Sequence, residues 1–117
     1  MIKYSELRSG NYICHSNGNI LKVNFHHIRY LTINPETVDY KPIQLTEELL
    51  LKCGFEKNFE WTCSIYIKGN YKLVYYVGEK GWSIGFKNYS DYSNLNYLHQ
   101  LQNLYWCLVG GELNISL

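Results

Sequence analysis

A chain of 117 residues fits one domain around one core, so a single domain spanning 1–117 is expected. With 46% hydrophobic and 18% charged residues the composition is globular and excludes a disordered chain. A formal net charge of +1 supplies no global attraction to nucleic acid or to a membrane surface.

The start, Met1 to Glu6, has no apolar run of the signal-peptide kind, and no later run approaches membrane-spanning length. The expected location is therefore the cytoplasm, with no membrane partner. Tyr12 to His15 reads as a short strand, and Ser16-Asn17-Gly18-Asn19 as a hairpin turn, because Asn-Gly accepts positive φ cheaply. Ile20 to Phe25 alternates apolar and polar residues and reads as the returning strand. His26-His27 breaks the pattern, and Ile28 to Ile33 then reads as a third strand ended by Asn34-Pro35. Small curled meanders of this kind form half of an SH3-like barrel.

Val38 to Gln44 is expected to be extended, since Pro42 disfavours helix before it. Thr46 caps a short helix from Glu47 to Cys53, with Glu47 and Glu48 in the first turn, where the helix dipole favours acids. Leu49, Leu50 and Cys53 form its buried stripe, and Gly54 ends it.

A second meander follows, over Trp61 to Lys68, Lys72 to Val77 and Trp82 to Lys87. Pairing Val77 with Trp82 sets Tyr75 against Ile84 and Leu73 against Phe86 on one apolar face. Trp61, Cys63, Ile65 and Ile67 join that face only if the Gly69-Asn70-Tyr71 connection is three residues long or bulged. The opposite face then carries Lys68, Lys72 and Lys87 in one row, with Tyr66 and Tyr76 in the next. These five residues are the candidate partner-binding positions, because lysines hold phosphates or acidic patches while tyrosines stack or anchor.

The longest amphipathic segment is Tyr97 to Val109. Tyr97, Leu98, Leu101, Leu104, Tyr105 and Leu108 form its apolar stripe. His99, Gln100, Gln102 and Asn103 fall on the polar side, with His99 solvated or hydrogen-bonded there. Asn94 or Asn96 caps its start, and Gly110 stops it. Glu112 to Leu117 reads as a tail or edge strand. The order of elements gives an α+β fold: two antiparallel β-meanders, a short central helix, and a longer C-terminal helix packed on the sheet.

No Cys or His pair has the spacing of a zinc site, and the four cysteines lack a CxxC pair. Cys53 and Cys63 read as core-facing and Cys107 lies near the buried stripe, so free and mostly buried thiols are expected. No glycine-rich loop opens a helix in phosphate-binding form. No catalytic residue, metal or cofactor is expected, and the chain is read as a non-enzyme.

Three stretches carry a resemblance: Glu6-Leu7-Arg8-Ser9-Gly10-Asn11-Tyr12; Pro42 to Glu48 continuing to Lys52-Cys53-Gly54-Phe55-Glu56-Lys57; and, most specifically, His99-Gln100-Leu101-Gln102-Asn103-Leu104-Tyr105. Together they resemble a family of small uncharacterised proteins of Bacteroidetes genomes, prophages and phages. This chain departs from the pattern at Leu49, Cys53 and Gly111. The resemblance implies a phage-borne interaction protein, an inhibitor of a host defence complex of the anti-CRISPR or anti-defence type. Its partner would be a host protein or ribonucleoprotein complex in the host cytoplasm. The alternative is a small nucleic-acid-binding module using the basic, aromatic sheet face. Neither reading implies an oligomeric state.

Overall fold

A computed structural model describes residues 4–59, 63–68, 71–76, 82–86 and 89–116. The fold is α+β. Its chain divides into two compact units, the first built from residues 1–44 and 97–112, the second from 45–96 and 113–117.

In the first unit a 3-10 turn, Tyr4–Glu6, leads into β1 (Tyr12–His15) and β2 (Ile20–Lys22). They pair antiparallel, with Ile13 opposite Leu21, across the expected turn, where Gly18 takes φ 94°. The chain then turns helical. The expected third strand is instead α1 (Phe25–Ile33), and the strand before it stops at Lys22. The cause is local. Asn24 is an N-cap whose side chain accepts from the His27 backbone N–H, while the Asn24 N–H donates to His27 Nδ1. This reciprocal pair nucleates the first turn and outweighs the β-branched residues that follow. Thr32 adapts by donating its hydroxyl to the Ile28 carbonyl. The helix buries Leu31 beside Ile13 and Val23, with Leu7, Leu21, Ile28 and Tyr40 around them.

β3 (Tyr40–Lys41) returns to the free side of β1, giving the order β2-β1-β3. The N-terminal sheet is therefore not three consecutive strands, and the SH3-like meander does not form. An isolated antiparallel bridge joins Gln44 to Tyr97, and α3, the C-terminal helix over Leu98–Val109, follows it and contacts β1. Its N-cap is Tyr97 rather than Asn94 or Asn96, and the Tyr97 N–H is taken by Gln100 Oε1 at 3.1 Å. Gly110 ends it in the left-handed region, φ 78°, which a side chain would strain.

In the second unit α2 (Glu47–Lys52) starts as expected. Thr46 accepts from the Leu49 N–H, and Leu50 and Cys53 are buried. β4 (Glu56–Phe59), β5 (Cys63–Lys68), β6 (Tyr71–Tyr76), β7 (Trp82–Phe86) and β8 (Tyr89–Leu95) form an antiparallel meander in chain order. Two of these, β4 and β8, are absent from the sequence reading. Their sequences EKNF and YSDYSNL are too polar to signal strands alone. Residues 112–116 form no strand, although Leu113 is buried and the Ser116 N–H reaches the Lys52 carbonyl.

Candidate interaction surface

The register of the meander decides the fate of the five candidate residues. Lys68 pairs with Tyr71, and Ile67 with Lys72, so only two residues connect β5 to β6. The three-residue or bulged connection is not used. Strand alternation then puts Tyr66 and Lys68 on one face of the sheet and Lys72 and Tyr76 on the other. The expected row of lysines is split. Leu73 faces Ile84 rather than Phe86, a slip of two residues that preserves the face. Lys87 lies outside the described residues, as do Val77 and Trp61. Lys68 has a structural employment: its ammonium donates to the Cys53 carbonyl at 2.7 Å, at the C-terminal end of α2, where a cation complements the helix dipole.

The C-terminal helix reverses expectation in another way. Leu98 and Leu101 are buried, but so are His99 and Gln102, while Leu104 is only half-buried and Cys107 is exposed. The polar side faces the N-terminal segment. Gln102 accepts from the Tyr12 N–H at 2.8 Å and donates to the Gly10 carbonyl at 3.2 Å, so one side-chain amide completes two backbone groups. Asn103 donates to the Glu6 carbonyl at 2.7 Å and accepts from both Asn11 Nδ2 and Arg8 Nε. Arg8 lies over the Trp106 ring, 4.7 Å from its centroid, and holds Glu112 with both terminal nitrogens. That pairing keeps the Glu112 carboxyl below its usual range. Glu6–Asn11 and His99–Asn103 are thus one polar clasp.

His15 on β1 and His27 on α1 are likewise committed. His15 Nδ1 accepts from the Asn17 N–H and His27 Nδ1 from the Asn24 N–H, both at 3.1 Å. Each ring therefore carries its proton on Nε2, which leaves neither nitrogen a free lone pair for a metal. Among the described residues no group of three His, Cys, Asp or Glu side chains could hold a metal ion. Burial pushes the Cys53 thiol up to about 11, with Lys68 opposing it less strongly, so this sulfur is a protonated thiol at neutral pH.

What stands open is α1 and the segment after it. Phe25 is 69% exposed, Ile33 66% and Val38 72%, with Tyr30, His26 and Arg29 exposed between them. The helix spends one narrow side on the core, at Leu31 and Ile28, and leaves a wide apolar and aromatic arc outside. Its base is stiff. Tyr40 is ringed edge-on by His15, His27 and Tyr30, at centroid distances of 5.4, 5.8 and 5.8 Å. The Tyr30 hydroxyl donates to Asp39 at 2.8 Å, and this bond, aided by Thr37, lowers the Asp39 carboxyl. A shallow groove of about 430 Å3 runs beside Tyr30, lined by Asn34, Pro35, Glu36 and Thr37. Sequence reasoning missed this surface because it read 28–33 as a strand. The signal that could have found it was Asn24 three residues before a hydrogen-bonding side chain.

No protein-family model, curated protein or solved structure matches this chain.

Proposed function

We propose that this chain is a non-enzymatic interaction protein that acts by binding another protein, as a phage-type inhibitor of a host defence complex does. The observation that carries this reading is the exposure of Phe25, Ile33 and Val38 within one short segment. Apolar side chains left this open, on a helix whose base is fixed by an aromatic cluster, suit a partner's apolar surface. The resemblance to phage and prophage proteins supplies the host-defence context. The nucleic-acid alternative rested on a row of Lys68, Lys72 and Lys87, and the register takes Lys68 and Lys72 to opposite faces.

The test is a Phe25→Ser/Ile33→Ser double variant beside the wild type, each tagged and drawn from nuclease-treated host lysate. Both positions are exposed, so the variant's melting should be nearly unchanged. A protein bound by the wild type and lost by the variant supports the reading. A partner that binds both equally, or co-purifying nucleic acid alone, overturns it.

A further inference from the structure

His99 is 1% exposed, although it projects from the side of its helix that carries Gln102 and Asn103. Its Nε2 lies 3.3 Å from Glu6 Oε2, and its ring stacks on Tyr97 at 5.8 Å and 8°. Because Glu6 can only accept when ionised, Nε2 is the protonated nitrogen of the neutral ring. Nδ1 is buried and, among the described residues, meets no hydrogen-bond partner. A second proton would therefore create a cation in a dry site and a buried N–H without an acceptor.

We propose that the Glu6–His99 contact is an acid-opened latch, in which protonation of His99 frees the N-terminal segment from the C-terminal helix. The segment's other ties run through the same few residues: the Glu6 carbonyl to Asn103, the Gly10 carbonyl and Tyr12 N–H to Gln102. Displacing Glu6 moves the first of these directly. Of the charged groups nearby, Glu6 on the 3-10 turn alone contacts the ring among the described residues. Arg8 is committed to Asn103 and Glu112, and Tyr97 stacks. On α1, which touches the 3-10 turn, His27 faces Tyr40, and His26 and Arg29 are exposed.

Two effects oppose each other at the ring. Burial disfavours the imidazolium, and the Glu6 carboxylate favours it. Burial is the larger, so the folded-state value lies below the ordinary 6.5. The carboxylate is 39% exposed, which screens its attraction. The sign follows. Above the ordinary value the latch is complete. As pH falls below it the open state takes up the proton first, and closure weakens until the folded value is passed.

The test follows His99 and the segment in the wild-type protein. An NMR titration of the His99 ring is expected to give a midpoint below 6.5. Hydrogen exchange, corrected for intrinsic rates, is read at about pH 7.5 and about pH 5.5, which span the histidine range. Protection of the Tyr12 amide, which donates to Gln102, should fall several-fold and by no more than about tenfold, the most that a reading at about one pH unit below the ordinary value allows, while that of β5 and β6 holds. A His99→Phe variant keeps a ring over Tyr97 and should show no such fall. A midpoint at or above 6.5, unchanged protection in the wild type, or the same loss in the variant overturns the latch. If the variant does not fold, the wild-type titration and exchange decide alone.

Discussion

Gln102 shows what a single side chain does in this protein. Its amide serves a backbone donor and a backbone acceptor that no strand serves, at Tyr12 and Gly10. Gln102→Leu keeps the volume and removes both bonds. Each group left buried and unpaired costs about 1–3 kcal/mol, so denaturant melts should show a loss of at least the lower figure. Leu101, wholly buried on the same helix, should cost about 2–5 kcal/mol as Leu101→Ala, the usual range for a core leucine. The periodicity of the sequence identifies Leu98 and Leu101 as core. It places Gln102 and His99 on the polar side, with His99 solvated or hydrogen-bonded, and leaves their burial unread, because hydropathy cannot distinguish a solvated polar face from one that pairs with backbone. The thiols divide in the same way. Cys107 lies near the apolar stripe in sequence and is exposed, whereas Cys53 is buried with its thiol pushed up to about 11. In a native alkylation time course followed by intact mass and peptide mapping, Cys107 should react first. Cys53 should react only at the rate at which the protein opens.

Among the elements, those with strong local signals were legible. The Asn-Gly turn, the Thr46 cap and the Gly110 stop all stand where the residues demand. The helix over Phe25–Ile33 was not, because Ile28, Tyr30 and Thr32 mimic the period of a strand while a capping box decides the matter one turn earlier. Asn24→Ala removes the side-chain acceptor for the His27 N–H. It should cost about 1 kcal/mol and reduce helical circular dichroism before the main transition. A strand over the same residues would be indifferent to that change. The register of the second sheet was half legible. Alternation fixed the faces of β6 and β7, and their pairing differs by two residues with the faces kept. The β5–β6 pairing went the other way, because the ladder sets Ile67 opposite Lys72 and Lys68 opposite Tyr71.

At the scale of the molecule, charge and apolar exposure point to different kinds of partner, and ionic strength separates them. The net charge of +1 gives little long-range steering, and the lysines expected to form one basic row are divided between faces. The open α1 surface offers Phe25, Ile33 and Val38 with Arg29 as the cation on the helix itself. A complex built there is held by apolar contact, which salt does not screen and sulfate strengthens. Affinity for the captured protein partner should therefore change by no more than a few-fold between about 0.1 M and 0.5 M salt, since only exposed charge pairs are screened over that range. A nucleic-acid complex making about three phosphate contacts would weaken by tens of fold over the same range, because each contact releases bound counterions. A flat titration, together with loss of binding in the Phe25→Ser/Ile33→Ser variant, places the contact on α1. A steep one would return the function to the basic residues and to a polyanion.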